Sequence, residues 1–231
     1  MPLIPSPFSA KKLSNADVGE VVKFGVDPTG PVGGSLLANL IQNPSLMERV
    51  NQGREVGYII IFVGLIGIAI AFWKLFQLYT MGVAVAKQAK SKTHDKTNPL
   101  GRVLAVGEEH MGKDIETLEL RLAEAIMAER PAIERGIPVV KIISVVAPLA
   151  GLLGTVTGMI VTFQQITLFG TGDPKIMAGG ISQALVTTVL GLVVAIPTTL
   201  LHSFANSSAR GIINVLEEQS TGIVAEHSDS K

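Results

Sequence analysis

The sequence predicts an all-α, polytopic membrane protein with three transmembrane helices and a helical cytoplasmic extension. Three observations carry this reading. Charged residues make up only 16% of the 231 residues, and hydrophobic residues 47%; soluble globular chains carry about 25% charge. Asp, Glu, Lys and Arg are absent from residues 56–73, 142–172 and 176–209, runs of 18, 31 and 34 residues. Crossing about 30 Å of hydrocarbon takes about 20 helical residues. Between the first two runs lies a charge-rich stretch whose apolar residues recur at helical spacing.

Residues 1–56 form the expected outer, periplasmic segment. Pro2, Pro5, Pro7, Pro28 and Pro31 interrupt it, and residues 1–30 hold no continuous apolar core, so a cleavable signal peptide is not expected. Short helices are expected at 35–40 and 44–50, the latter started by Asn43-Pro44, since asparagine caps free amides and proline suits the first helical position. The first span is placed at 57–79. Lys74 is expected to snorkel toward headgroups there, beside an interfacial belt of Trp73, Phe76 and Tyr79.

Residues 80–137 are read as a cytoplasmic helical region. In it Ile115, Leu118, Leu122, Ala125 and Ile126 make one apolar face over 113–130, with Glu116, Glu119, Glu124 and Glu129 opposite and Arg121 and Arg130 available for pairing. Pro131 and Pro138 are expected to interrupt the helix where the chain enters the membrane. The second span (138–166), a short periplasmic link (167–178), the third span (179–204) and a cytoplasmic tail (205–231) complete the order. Lys74, Lys87, Lys90, Lys92, Lys96, Arg130, Arg135 and Lys141 cluster on one side of the spans, whereas the short link carries only Asp173 and Lys175. The positive-inside rule therefore puts the N-terminus outside and the C-terminus in the cytoplasm.

Net charge is zero, with 19 basic and 19 acidic side chains, which argues against a nucleic-acid binder. Cysteine is absent and the four histidines are scattered, so no metal site and no cofactor are expected. Residues 154–158 (GTVTG) lie in an apolar run with no following lysine, so they are no phosphate loop. No nucleophile, base or metal constellation points to an enzyme.

The polar residues inside the spans are more informative. Gly154 and Gly158 make a small-xxx-small pair, with Gly151 nearby, suited to close helix approach. Thr155 and Thr162, seven apart, share a face. In the third span Gln183, Thr187, Gly191, Val194 and Thr198 recur at intervals of 4, 4, 3 and 4, with Thr188 on the flank. Such threonines can simply satisfy their own backbone carbonyls. Two polar stripes on neighbouring helices, however, also suit a shared pore lining. No carboxylate lies deep in any span, so proton movement would need an acid from another polypeptide. Three spans are too few to enclose a pore alone, so a homo-oligomer is expected.

Residues 147–160 (APLAGLLGTVTGMI), 180–192 (GISQALVTTVLGL) with Ala195-Ile196-Pro197, and the approach 129–136 (ERPAIERG) resemble the ExbB/TolQ/MotA proton-channel family. Residues 27–58 and 169–174 look most like the TtpC branch of ExbB proteins, whose members carry a long periplasmic N-terminal region that this sequence lacks; a short relative or a trimmed form are both open. The resemblance implies a bacterial inner-membrane homopentamer around a dimer of an ExbD-like single-span protein. Proton flow through that unit would drive a TonB-like protein and energise outer-membrane transport. It implies pore-lining roles for Thr155 and Thr188, joined on the stripes above by Gln183, Thr187 and Thr162. Gly151, Gly154, Gly158, Gly191, Pro148 and Pro197 are read as packing positions. Many family members have glutamate where Gln183 stands, so Gln183 is read as a lumen-facing, non-titrating polar contact. Two other readings stay open: a stator of the TolQ or MotA type for envelope constriction or rotation, and a non-conducting scaffold.

Overall fold

The computed structural model describes residues 50–91, 95–170 and 174–229. The readings made for residues 1–49, including the helix at 35–40 and all but the last residue of the one at 44–50, lie outside the described residues. The five principal elements of the described part are helices: α1 (Arg54–Gln88), α2 (Pro99–His110), α3 (Ile115–Glu134), α4 (Ile137–Phe169) and α5 (Pro174–Asp229). Helix α1, helix α4 and Met177–Ser228 within α5 are each long and apolar enough to cross a membrane. At 1.5 Å per residue, α1 and α4 measure about 50 Å and α5 about 84 Å. All three outrun the hydrocarbon layer, and the chain is a membrane protein.

The spans pack through heptads of small residues. Gly57, Gly64, Ala71, Leu78 and Val85 are seven apart in α1 and buried, as are Ile60, Gly67 and Lys74 in the intervening register, which Gln88 resumes two heptads later. In α4 Ile137, Val140, Ser144, Ala147, Gly151, Gly154 and Gly158 are buried at alternate spacings of 3 and 4, joined by Ile143 and Thr162. A 3.5-residue repeat keeps one seam in contact only if the helices wrap around one another with a left-handed twist. The glycines set the separation. A Cβ on Gly67 would sit 2.8 Å from Ile143 Cγ2 of α4, and one on Gly57 3.2 Å from Leu190 Cδ1 of α5. Large side chains point the other way: Phe62, Leu65, Phe72, Trp73 and Phe76 of α1 are exposed, as are Leu149, Leu152, Leu153 and Phe163 of α4. An apolar belt of this extent marks contact with lipid or with other subunits.

Beyond the membrane-crossing region, α1 and α5 continue as two members of a bundle completed by α2 and α3. Its core is built from Leu78 and Val85, Leu100 and Val103, Leu118, Leu122, Ile126 and Ile133, and Ile212, Ile213 and Leu216. The region read as a tail from 205 is therefore the continuation of one 56-residue helix. Packing explains the difference. Ala205, Ala209, Ile212, Ile213, Leu216 and Ser220 make a buried stripe along it, with no proline after Pro197.

Two local expectations change. Lys74 does not snorkel outward: it is 1% exposed, and its ammonium donates to Gln77 Oε1 at 3.0 Å and to the Ala132 carbonyl at 3.2 Å. It thus caps the last turn of α3, whose unpaired carbonyls attract a cation. Pro131 stays inside α3, and the break falls at Arg135–Gly136, where Gly136 has φ +88°. That left-handed conformation suits glycine and stops the helix. Pro138 then sits in the first turn of α4, where a missing N–H costs nothing.

The α1–α2 connection is held by a buried amide pair. Asn98 accepts from Gly101 N at 2.8 Å, capping α2, and its Nδ2 donates to Gln88 Oε1 at 3.2 Å and to the Asp95 carbonyl at 2.9 Å. Gln88 Oε1 also accepts from Asp95 N at 3.0 Å. Asn98→Ala removes the cap and one of the hydrogen bonds to Gln88 Oε1, a loss of about 1–2 kcal/mol. The expected outcome is a lower melting temperature with faster hydrogen exchange in the first turn of α2. Unchanged exchange there would show that the connection is held by other contacts.

Candidate functional site

The α4–α5 hairpin brings nearly all the singled-out polar and small residues to one seam. Gly151 approaches the α5 backbone so closely that a Cβ there would lie 2.9 Å from the Thr187 carbonyl and 3.5 Å from Gly191 Cα. From the other side, a Cβ on Gly191 would meet the Ala147 carbonyl at 2.7 Å and Pro148 Cα at 3.3 Å. Gly158 faces Gly180 and Ala184 in the same way, while Gly154 receives the Thr187 side chain and Gly180 that of Thr162. Pro148 and Pro197 lie inside α4 and α5. Each leaves a carbonyl one turn earlier without its helical donor.

The threonines then divide. Thr187 is 0% exposed and Thr162 3%. Thr187 Oγ1 donates to the Gln183 and Ala184 carbonyls at 3.1 and 2.9 Å, and Thr162 Oγ1 to the Gly158 carbonyl at 3.0 Å. Enclosed by glycines and bonded to their own helices, both side chains pack into the α4–α5 seam. Gln183 is 7% exposed and lies seven residues before Leu190, whose methyl meets Gly57. The seven-residue spacing puts it on the same side of α5 as Leu190.

Thr155 and Thr188 differ from these three. Both are half-buried. At 100° per residue, Thr155 stands about 40° round α4 from Gly151, while Ile143, against α1, stands about 80° the other way. Thr188 likewise stands about 40° from Ala184, and Leu190 about 120° to the opposite side. The two hydroxyls therefore flank the seam on the side turned away from α1. In the subunit each bonds its own helix, Thr155 to the Leu152 carbonyl at 2.6 Å and Thr188 to the Ala184 carbonyl at 3.3 Å. A hydroxyl so held keeps its lone pairs for water or a partner group. Residues 138–169 and 177–209 contain no carboxylate, so the hairpin can order water but cannot take up a proton on an acid of its own.

Outside the membrane the strongest polar contact joins α2 to α3. Arg102 donates through Nε and Nη2 to the two oxygens of Glu129, each at 2.7 Å. This fork raises the guanidinium's pKa above its ordinary value, mainly by hydrogen bonding to Glu129. The Thr97 amide, at 2.9 Å, holds the Asp95 carboxyl below the usual carboxylate range.

Three features escaped the sequence reading: the α1 glycine stripe, the Gln88–Asn98 pair, and Gly180 as the partner of Thr162. Only the first had a visible signal, the seven-residue recurrence of Gly57, Gly64 and Ala71. Paired with it, Ser182 Oγ donates to Gln52 Oε1 at 2.9 Å, tying the start of α5 to the chain ahead of α1.

Comparison with known proteins agrees with this architecture. A biopolymer transport protein ExbB homolog of Methanothermobacter thermautotrophicus is 26% identical over 189 residues, covering 75% of this chain and 67% of its own. An ExbB-like biopolymer transport protein of Synechocystis is 45% identical over 89 residues, 38% of this chain and 41% of its own. The biopolymer transport protein ExbB of Aquifex aeolicus is 48% identical over 58 residues, 25% of this chain and 39% of its own. The chain thus spans about two fifths of the length of the last two relatives. A model of the MotA/TolQ/ExbB proton channel family matches residues 95–218, which take in α2 to α4 and most of α5. With more than half the chain matched and the seam glycines and flank threonines inside the matched region, the chain belongs to the MotA/TolQ/ExbB proton channel family.

Proposed function

We propose that the chain is the ExbB-type subunit of a proton-driven motor in the bacterial inner membrane, with its N-terminus periplasmic and its C-terminus cytoplasmic. In this reading it forms a homopentamer around a dimer of an ExbD-like single-span protein. The motor uses the proton motive force to drive a TonB-like protein and so energise outer-membrane transport. The observation that carries the reading is the pair Thr155 and Thr188. They are polar, half-buried, and set on the hairpin flank away from α1, in spans without a carboxylate. A closed ring of such hairpins would turn these hydroxyls inward, while the large apolar residues of α1 meet lipid. The acid that a proton relay needs then comes from the partner helix.

Reconstitution tests this directly. The purified chain in proteoliposomes should pass few protons under an imposed gradient, and addition of a single-span partner bearing a membrane aspartate should raise the flux. Native mass spectrometry of the detergent-solubilised chain should give an oligomer, with five copies expected. A monomer at micromolar concentration, or equal flux with and without the partner, would defeat the proposal.

A further inference from the structure

On the side of α5 turned away from α3, an open groove of about 620 Å³ runs between α1 and α5. Tyr79 and Val83 of α1 line one wall, and Ser208 and Val215 of α5 the other. Gly82 and Gly211 deepen it, since a Cβ on either would meet nothing within 4 Å. At 100° per residue, the groove residues of α5 point about 180° away from Glu217, Ser220 and Val224, which stand beside α3. The exposed face of α3 is the counterpart. Leu120 and Met127 are 68% and 70% exposed. Seven residues apart, they share the outer side of α3 with the exposed Pro131, flanked by Glu124 and Glu134. α3 is not one of the three described helices apolar enough to cross a membrane, so a bilayer core does not cover this stripe.

Groove and stripe lie at one depth. The Lys74 ammonium of α1 donates to the Ala132 carbonyl of α3, which sets the two helices level there. Helix rise puts Met127 about 8 Å and Leu120 about 18 Å further from the membrane than Ala132, and the groove reaches Ala86, about 18 Å beyond Lys74. Past that end stands the exposed Lys87. It lies about 8 Å deeper than Glu124, and because side chains tilt toward their own helix N-terminus, the two lean toward a common level. We propose that the groove docks the outer face of α3 from a second copy of this chain, so that subunits join head to tail. The inference rests on the oligomer proposed above and names the surfaces that build it. Copies in a membrane ring are related by rotation about the membrane normal, which leaves every residue at its depth. A contact between unlike faces therefore needs faces of matching depth that point in different directions. Met127 would enter beside Gly82 and Gly211, Leu120 would lie near Ala86, and Glu124 would face Lys87.

The chain has no cysteine, so an introduced pair reports alone. Val83→Cys with Met127→Cys, treated in detergent with a short bifunctional maleimide, should give a ladder of covalent multimers on a denaturing gel, and each single variant only monomer. Gly211→Leu fills a space that the subunit alone leaves open. Native mass spectrometry should show about a fivefold or greater loss of oligomer for it, with helix content unchanged, as a fully desolvated apolar contact is lost. Met127→Glu, at a site that the subunit leaves exposed, should do the same. An intact oligomer that gives no ladder, dimers from Met127→Cys alone, or parental oligomer in either Gly211→Leu or Met127→Glu would overturn the proposal and leave the motor reading standing. A phospholipid held by the parent and lost from Gly211→Leu at unchanged oligomer size would overturn it too, with lipid as the occupant. A monomeric parent would defeat both readings.

Discussion

Gly191→Leu should leave little folded subunit in the membrane fraction, while Gly191→Ala should persist with a clearly lower melting temperature. The reason is what stands opposite. A Cβ at this position meets the Ala147 carbonyl, Gly151 Cα and Pro148 Cα, all backbone atoms, the nearest at 2.7 Å. A clash with a flexible side chain is relieved by rotation, but a clash with backbone moves a whole helix. One inserted methyl in such a seam costs about 1–3 kcal/mol, and a leucine adds three more carbons where no space exists. Gly222→Ala is the control: nothing lies within 4 Å of its would-be Cβ. There the exchange should be neutral or stabilising by up to about 1 kcal/mol, because glycine is a poor helix former. Thermal unfolding in detergent, followed by circular dichroism, separates the three. Parental stability for Gly191→Leu would mean that the hairpin can open without loss, contrary to the packing described.

Thr155→Val and Thr188→Val should each lower partner-dependent proton flux by about fivefold while leaving assembly intact. Valine preserves shape and removes the hydroxyl, and so one hydrogen bond of about 1 kcal/mol. A barrier change of about 1.4 kcal/mol is tenfold in rate. Thr187→Val serves as contrast. Its hydroxyl is enclosed and bonds only its own helix, so its loss should alter stability rather than conduction. Flux is read with a pH-sensitive dye in proteoliposomes, at matched oligomer content. Normal flux in both flank variants would sink their assignment to the pore and leave them as packing residues.

These expectations show where sequence reading succeeds and where it stops. The three spans are legible because a charge-free run of eighteen residues or more has few uses outside a bilayer. The helix around 115–130 is legible because Leu118, Leu122 and Ile126 repeat at helical spacing. Periodicity also places Thr187 and Thr188 on adjacent flanks. It cannot say which flank meets glycine and which stays open, because that depends on the neighbouring helix. Lys74 was misread because a cation near a span end has two outlets, headgroups or a helix C-terminus, and only the fold brings Ala132 within reach. The extent of α5 was hidden by the rise in charge after residue 209, which marks a change of surroundings and not a helix end.

That unbroken α5 has a mechanical consequence. A helix of about 84 Å crossing both the membrane and the bundle acts as a lever whose two arms are joined without a loop. Tilting it by about 5° around its midpoint would carry either tip sideways by about 4 Å, given its length. A small adjustment beside Gly191 would thus be felt at Leu216 as a displacement of atomic size. No intervening segment would have to fold or unfold to pass it on.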